Sequence, residues 1–435
     1  MWRPVIGRLF HGLYLYRTVL IDNWPALEQG TRVTSATSSP LVAAHAPLPI
    51  AALLALAMTG FICIVTETLP AGLLPLMSAG LDITPAMAGQ TVTAYALGSV
   101  LAAIPLTIAT QKWRRRNVLL LTIVGFLVFN SITALSTDYS LTLAARFFAG
   151  AAAGLAWSLL AGYARRMVQP EQQGRAMAIA MVGTPIALSL GVPLGTWMGG
   201  LLGWRTAFGA MSALTVLLII WVLAKVPDYP GQSAAQRVSL RKVLSTPGVR
   251  PVLATVMAWM LAHNILYTYV APFATHAGLG NRVDVLLLVF GAAALAGICV
   301  TGKLVERHLR STVLASLATF FAISVVLALA QGLQPVVYAC VAVWGLTFGG
   351  AATLLQTALA DSAGEGADVA LSLNVVAWNS VIAGGGVVGG VLLDQWGAQT
   401  FPAAMAVLLA IGFLIAWRAR VHGFAAGQRA AVAGH

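Results

Sequence analysis

The sequence predicts an all-α membrane protein whose twelve transmembrane helices form two related bundles of six. Composition, the length of the apolar stretches and an internal repeat predict this class. Of 435 residues, 59% are hydrophobic and 9% are charged, and the mean hydropathy is +0.85. A soluble domain carries about 25% charged residues. A surface of this composition therefore belongs in lipid rather than in water.

Twelve apolar stretches are long enough to cross a bilayer, whose core of roughly 30 Å requires about 20 residues of helix. No stretch shows the alternation of polar and apolar residues that a membrane β-barrel requires. We number these predicted spans 1 to 12, and they are residues 48–76, 86–110, 118–136, 139–164, 175–202, 206–225, 251–274, 284–304, 312–331, 335–360, 369–393 and 400–417.

A polar segment separates the spans into two groups of six. The predicted parts are an N-terminal bundle at 48–226, a cytoplasmic linker at 227–249, a C-terminal bundle at 250–420 and a cytoplasmic tail at 421–435. A short basic run follows span 2 at residues 112–116, and a similar run follows span 8 at residues 302–310. Two six-span repeats joined by a longer loop are typical of a transporter built by duplication.

Residues 1–47 form a cytoplasmic N-terminal extension with two open interpretations. Trp2, Ile6, Leu9 and Leu13 share one helical face, which would suit a short helix at the membrane interface. The Ser-, Thr- and Pro-containing stretch that follows indicates instead a linker preceded by a disordered segment.

The basic residues are distributed as in a protein of the bacterial inner membrane. With the N-terminus in the cytoplasm, all but three of the 25 Lys and Arg residues lie on the cytoplasmic side, the exceptions being Arg146, Arg205 and Arg282. This positive-inside asymmetry predicts that both termini are cytoplasmic. It also argues against a nucleic-acid partner, whose contacts would gather on one folded surface.

The sequence predicts neither a cofactor nor a metal site. Cys63, Cys299 and Cys340 lie inside spans, at spacings that suit neither metal nor redox chemistry. No phosphate-binding loop, nucleophile elbow or HExxH motif is present. We therefore expect a protein that is not an enzyme and that draws its energy from an ion gradient.

Four segments resemble the drug:proton antiporter branch of the major facilitator superfamily. Residues 66–75 (TETLPAGLLP) are similar to its acidic span 1 motif, and residues 146–150 (RFFAG) to its span 4 motif. Residues 183–195 resemble its span 5 antiporter signature. Residues 263–273 resemble the sugar-efflux members of this branch. The resemblance covers about residues 48–420.

The resemblance implies the major facilitator fold with twelve spans, like that of the bacterial sugar, arabinose and nucleoside efflux transporters. It further implies a monomer that exports a sugar, nucleoside or drug by proton antiport with alternating access. One departure concerns the loop after span 2, where Gln111 and Arg114 stand in place of the expected Asp and Gly. We expect this change to weaken one cytoplasmic gating contact.

Glu67 and Arg146 are the charged residues placed well inside the predicted spans, where charges are costly and functional by default. Glu67 precedes Pro75 by about 12 Å of helix, and Arg146 follows Tyr139 by about 10 Å, so the two lie at similar depth. We expect Glu67 to carry the coupled proton and Arg146 to act on its charge. The alternative is a permanent structural ion pair.

His263 in span 7 is a further candidate for proton coupling, because imidazole titrates near neutral pH. It could also bind a hydroxylated solute or be an ordinary satisfied polar group. Several polar and aromatic side chains are expected to face the substrate cavity, although packing between helices explains them equally well. They are Gln90, Tyr95, Trp157, Asn264, Trp344, Asn374 and Asn379.

A third set is expected to serve gating or structure. Glycine and proline let a helix bend and a neighbour approach closely, although ordinary close packing would use the same residues. The set comprises Gly183, Gly191, Pro193 and Gly195 in span 5, with Arg115, Arg116, Gly302, Glu306 and Arg307 in the two basic runs.

Two other functions remain open at this point. A passive or proton-coupled uptake carrier of the same fold is disfavoured by the resemblance of span 5 to the antiporter signature. A membrane enzyme is disfavoured because the sequence shows none of the catalytic motifs named above. A non-transporting sensor is disfavoured because it would need a soluble output domain, for which we expect no room.

Overall fold

The computed structural model describes residues 47–169, 172–231 and 240–425, in which helices alternate with short turns. Eleven of these helical segments are long and apolar enough to cross a membrane. In chain order they are Ile50–Leu81, Pro85–Ala109, Arg115–Leu135, Tyr139–Arg166, Arg175–Leu202, Trp204–Lys225, Val249–Thr268, Gly280–Ala330, Gln334–Ala363, Val369–Trp396 and Ala398–Arg418. The first seven match predicted spans 1 to 7. The predictions for residues 1–46 lie outside the described residues.

Spans 8 and 9 follow one another as two helices that meet at a kink, with no turn between them. Val283–Ala330 has 48 residues, which is about 72 Å at 1.5 Å per residue and more than twice the thickness of the bilayer core. His308 interrupts it with φ −131° and ψ 30°. Two crossings that meet at His308 account for this length, consistent with twelve spans. The predicted loop at 305–311 was wrong in its extent, because Glu, Arg and Leu support helix in this run and it contains no Gly or Pro.

Three other spans are built from shorter helices. Span 5 consists of Gln173–Met181, Gly183–Ile186, the π-helical turn Ala187–Gly191 and Val192–Leu202. Span 7 divides at Tyr269 into Val249–Thr268 and Val270–His276, and span 10 divides at Gly350 into Gln334–Gly349 and Ala351–Ala363. Spans 11 and 12 are Ala367–Trp396 and Phe401–Arg418, and a short helix, Leu240–Ser245, lies in the linker. A π-helical turn within an α-helix is frequent at functional sites.

Hydrogen bonds between connecting segments define two faces of the bundle. At the first face, the Arg166 guanidinium donates to the Pro230 carbonyl over 3.1 Å and the Tyr163 hydroxyl donates to the Pro227 carbonyl over 2.6 Å. At the second face, Arg205 donates to the carbonyls of Ser136 and Gly80 over 3.0 and 3.2 Å. We call the first the basic face, because the arginines of residues 114–116 lie there, and the second the opposite face.

The two halves repeat one packing arrangement. Gly150 and Gly154 of span 4 lie against the backbone of Tyr95 and Ser99 in span 2, so closely that a Cβ atom would collide with it. In the second half, Gly345 and Gly349 of span 10 lie in the same way against Phe290 and Ala294 of span 8. Small residues allow such backbone approach in membranes. The same sequence shift relates all four residues of each set, which supports an internal duplication.

The start of the linker is anchored to the loop between spans 2 and 3. Asp228 forms an ion pair with Arg114, and its Oδ1 accepts a hydrogen bond from the backbone N–H of Arg116 over 3.2 Å. Desolvation opposes ionisation, but these hydrogen bonds and the charges of both arginines hold the pKa of the Asp228 carboxyl below its usual value. A linker residue thus supplies an acidic group to a loop that lacks the expected Asp.

Replacing Asp228 with Asn is expected to lower stability at pH 7 by about 0–1 kcal/mol, as for other exposed ion pairs. A carboxyl with a lowered pKa stabilises the folded state above its unfolded-state pKa of about 3.9 and loses this effect as the pH falls through the folded-state value. The unfolding temperature of the purified Asp228→Asn protein should therefore be lower than that of the wild type at pH 7, and the two temperatures should converge in acid. Asp82→Asn is the control, because Asp82 is exposed and left-handed at φ 54°, a conformation that Asn tolerates. A difference that grew in acid would contradict the assignment.

Candidate functional site

Span 1 packs against spans 2, 4, 5, 6 and 7, and glycines in span 5 allow that span to approach it closely. A Cβ on Gly183 would collide with the Ala57 carbonyl, one on Gly191 would meet Phe61 and Val65, and one on Gly195 would meet Leu69. These contacts recur at every fourth residue of span 1. They flank Glu67, whose exposed fraction is 6%. The close approach of span 5 therefore helps to shield the Glu67 carboxylate from the solvent. Among the residues whose burial is described, no other carboxylate is buried.

Replacing Gly183 with Ala is expected to destabilise the protein by about 1–3 kcal/mol, the usual cost of forcing extra atoms into a packed interior. Spans 1 and 5 must separate, because the colliding atom belongs to the backbone of Ala57. Gly200→Ala in the same span is the matched control, since nothing lies within 4 Å of its Cβ position. Thermal unfolding and solute exchange in proteoliposomes would measure both variants. Equal behaviour of the two would refute a role for this contact.

Arg146 lies fully buried beside Glu67. Its Nη2 donates to the backbone carbonyl of Glu67 over 3.2 Å, and its Nε donates to the carbonyl of Thr91 over 3.3 Å. The guanidinium also lies 4.9 Å from the ring centre of Tyr95 and 5.6 Å from that of Phe208. Its Nη1 has no hydrogen-bond partner within the described part of the chain. The guanidinium thus leaves the Glu67 carboxylate free of a direct hydrogen bond while its charge acts on it.

Other polar groups of the N-terminal half lie around Glu67 and Arg146. Asn130 of span 3 donates to the Thr66 hydroxyl over 3.0 Å, and the Tyr95 hydroxyl donates to the Cys63 carbonyl over 2.9 Å. Tyr95 has no exposed surface, so the structure places it behind span 1. Thr66, Glu67, Tyr95, Asn130 and Arg146 form what we call the Glu67 cluster. The sequence predictions did not single out Asn130.

A second cluster, in the C-terminal half, surrounds His263. The imidazole stacks on Phe348 with ring centres 3.5 Å apart and an interplanar angle of 7°. The indole N–H of Trp344 donates to Nδ1 of His263 over 3.2 Å. Phe290 lies 5.9 Å and Tyr267 lies 5.1 Å from the imidazole centre. We call these five residues the His263 cluster.

Tyr267 connects the two clusters. Its hydroxyl lies beside Thr68 of span 1 and close enough to Glu67 for their charges to interact. Tyr267 belongs to span 7, which packs on span 1. The buried carboxylate of one half therefore adjoins the aromatic cluster of the other half.

Unpartnered polar atoms occur in the spans that form the boundary between the halves. Thr93 in span 2, Thr196 in span 5, Thr268 in span 7 and Asn374 in span 11 each have a buried side-chain oxygen with no hydrogen-bond partner. Buried polar groups are normally satisfied by protein or water. These positions can therefore accept or donate hydrogen bonds to a bound molecule or to water, and none of them carries a charge.

Tyr269 joins the halves near the opposite face. Its hydroxyl donates to the Gly386 carbonyl in span 11 over 2.7 Å, and the Gln90 amide of span 2 donates to the same carbonyl over 3.1 Å. The ring lies in a slot where a Cβ on Gly89 or on Gly389 would collide with it. Because Gln90 lies 179 positions from Tyr269, the sequence alone did not identify this contact. We call this contact of Tyr269 with Gly386, Gln90 and the slot at Gly89 and Gly389 the Tyr269 latch.

The remaining cavity candidates contact span 1 or their own helices. Trp157 packs against Gly60 of span 1. Asn264 is buried and donates to the Met260 carbonyl of its own helix over 2.7 Å, and Asn379 donates to the Val375 carbonyl over 3.0 Å. Their contact with a substrate stays a prediction.

The predicted gating residues differ in their surroundings. Nη2 of Arg115 donates to the carbonyls of Thr110 and Gln111 over 2.7 and 2.6 Å, which closes the end of span 2. Pro193 follows the π-helical turn of span 5. Gly302, Glu306 and Arg307 are exposed on span 8 before the break at His308. Their part in gating stays a prediction.

Comparison with known proteins gives a consistent result. Residues 56–386 match the family model described as Major Facilitator Superfamily. The chain is similar to the purine ribonucleoside efflux pump NepI of Escherichia coli O157:H7 and of Shigella sonnei, in each case with 30% identity over 341 residues, 77% of this chain and 85% of the relative. It also resembles the crystal structure of the human organic anion transporter MFSD10 (TETRAN), with a TM-score of 0.63, 15% identity, and coverage of 85% of this chain and 99% of that chain. This last likeness shows a shared fold.

Proposed function

The chain belongs to the major facilitator superfamily, and we propose that it exports a neutral purine ribonucleoside in exchange for protons. The predicted fold class and family are confirmed. The protein is a multi-pass membrane transporter of small molecules and not an enzyme. The substrate, the coupling ion and the direction are the proposal.

The observation that carries the proposal is the buried carboxylate of Glu67, the one carboxylate that is buried among the residues whose burial is described, next to the aromatic His263 cluster. Glu67 provides an ionisable group inside the membrane, where such groups mark ion pathways. The His263 cluster provides rings on which a nucleobase could stack. The unpartnered hydroxyl and amide oxygens of Thr93, Thr268 and Asn374 suit a ribose, because a site built to bind hydroxyls favours solutes that carry them.

The relatives support the substrate class and the direction. Those with 30% identity are named as purine ribonucleoside efflux pumps. The scarcity of buried charge supports a neutral solute, since an anionic or cationic solute would require a compensating charge in the site. Arg146 does not serve that purpose, because it has no exposed surface and is enclosed by two backbone carbonyls and two aromatic rings.

The proposed mechanism is alternating access, in which the two halves rock about a central site. With the Tyr269 latch closed, the solute enters from the basic face. Opening the latch exposes the solute and Glu67 to the opposite face, where the solute leaves and Glu67 binds a proton. Arg146 favours the ionised carboxylate, so that Glu67 releases the proton when the site returns to the basic face.

The orientation is part of the same proposal. The basic face is cytoplasmic and the opposite face is periplasmic, because Lys and Arg concentrate in cytoplasmic loops. Both termini are then cytoplasmic in the bacterial inner membrane. We propose a monomer with bundles at 48–226 and 250–420 and the linker at 227–249.

Tracer flux in proteoliposomes tests the substrate class. The purified protein would be challenged with inosine, arabinose, a galactoside and chloramphenicol. We expect inosine efflux well above that of empty liposomes and competition by other nucleosides. If arabinose, the galactoside or chloramphenicol were transported faster than inosine, that solute would be the substrate class. If none of the four solutes were transported, the proposal would be refuted.

A further inference from the structure

His263 has one ring nitrogen occupied and one available. Trp344 is 1% exposed, and its indole N–H points at Nδ1 of His263 over 3.2 Å. An indole nitrogen can only donate a hydrogen bond, and a neutral imidazole has one donor and one acceptor nitrogen. Nδ1 is therefore the acceptor, and the ring proton resides on Nε2.

The same geometry opposes protonation of the ring. In an imidazolium ion both nitrogens donate, so an N–H on Nδ1 would face the N–H of Trp344. Stacking on Phe348 at 3.5 Å holds the ring in place, which prevents it from turning Nδ1 toward another partner. The hydrogen bond from Trp344 to Nδ1 thus requires a neutral imidazole.

The ionisable groups nearby do not offset this effect. They are Tyr267 one turn along span 7, Cys340 one turn before Trp344 on span 10, and Glu67 on span 1. Glu67 lies close enough to Tyr267 for their charges to interact, and within the described part of the chain no carboxylate lies within ion-pair distance of His263. Phe290, Phe348 and Trp344, which pack on the ring from spans 8 and 10, are uncharged.

Nε2 of His263 has no hydrogen-bond partner within the described part of the chain, and the side chain keeps a small exposed fraction of 6%. We propose that Trp344 fixes His263 as the neutral Nε2–H tautomer, so that His263 donates a hydrogen bond to the transported solute and does not carry the coupled proton. The solute's identity rests on the proposed function. Trp344 is then a positioning residue, and the sequence-based role of His263 in proton coupling is replaced.

Nitrogen-15 NMR of the full-length protein tests the tautomer directly. The chain has seven His residues, and the signal that disappears in His263→Gln identifies His263. We expect the neutral Nε2–H pattern to persist between about pH 5.5 and 8.5, the range in which ordinary histidines titrate. In Trp344→Phe, which keeps a ring but removes the N–H, His263 should titrate or show both tautomers. Titration of His263 in the wild type would overturn the proposal.

Two neutral substitutions test the contact with the solute. The amide nitrogen of Gln reaches the position of Nε2, whereas that of Asn reaches only the position of Nδ1. His263→Gln should therefore retain the affinity for inosine, and His263→Asn should weaken it about two- to tenfold, the effect of one lost hydrogen bond. Both should keep the solute-driven proton signal. Equal loss of that signal in both variants would restore a proton-carrying role and overturn the proposal.

The two proposals fail in distinguishable ways. If the wild type does not bind inosine, the proposed substrate is wrong, whereas the NMR result still decides the state of His263. If inosine binds equally well to the wild type and to the Gln and Asn variants, the solute contact is wrong and the nucleoside substrate stands.

Discussion

Replacing Gly89 with Ala is expected to lower the transport rate by about five- to 150-fold while the protein remains folded. The added methyl group would occupy the space of the Tyr269 ring, which is fully buried and also confined by Gly389 and Gly390. Forcing extra atoms into a packed contact costs about 1–3 kcal/mol, and each 1.4 kcal/mol shifts an equilibrium about tenfold. In the proposed mechanism the contact joins the halves only when the latch is closed, so this cost falls on the closed state.

Hydrogen exchange distinguishes local opening of the latch from destabilisation of the whole protein. Peptides covering residues 85–95 and 264–276 should exchange faster in Gly89→Ala than in the wild type, while spans remote from the opposite face exchange as before. Gly162→Ala is the control, since nothing lies within 4 Å of its Cβ position. Tyr269→Phe, which keeps the ring and removes its hydrogen bond to Gly386, should have a smaller effect. Unchanged exchange and transport in Gly89→Ala would show that the contact is not a gate.

Replacing Glu67 with Gln is expected to abolish proton-coupled transport while solute exchange down a gradient continues near the wild-type rate. Gln has nearly the shape of Glu, so the packing of span 1 against Gly191 and Gly195 is retained. It cannot bind and release a proton near neutral pH. Among residues of described burial, no other carboxylate is buried to replace it.

Two assays on the same liposomes separate these activities. Counterflow of labelled inosine measures exchange, and accumulation driven by an imposed pH gradient measures coupling. Asp82→Asn, an exposed acid outside the spans, should behave as the wild type in both assays. Retained accumulation in Glu67→Gln would assign the proton to another group, and loss of counterflow as well would assign Glu67 to solute binding.

Much of the architecture was accessible from the sequence because hydrophobic length alone determines where a chain can cross lipid. The predicted span at 86–110 compares with the helix Pro85–Ala109, and 139–164 with Tyr139–Arg166. Helix rise placed Glu67 and Arg146 at similar depth, and the guanidinium does contact the Glu67 carbonyl. The boundary between spans 8 and 9 was harder to predict, because residues 303–311 contain no Gly or Pro. The two helices are separated only by the backbone conformation of His308.

The contacts between distant segments were not accessible. The Tyr269 latch depends on glycines of spans 2 and 11 meeting one tyrosine of span 7, and a single sequence does not show which faces meet. The composition of the linker does not show that Asp228 binds the loop after span 2, in which the expected Asp is absent. The bond between Trp344 and His263 depends on the rotation of two helices, which hydropathy does not fix.

The direction of proton movement driven by a solute gradient tests the central claim most directly. Liposomes that contain the purified protein, inosine and a pH-sensitive dye would be diluted into inosine-free buffer at the same pH. Antiport predicts that the interior becomes acidic as inosine leaves, whichever way the protein is inserted, and that Glu67→Gln removes this signal. An interior that becomes alkaline would show symport, and inosine efflux without any pH change would show a facilitator; either result would contradict the account.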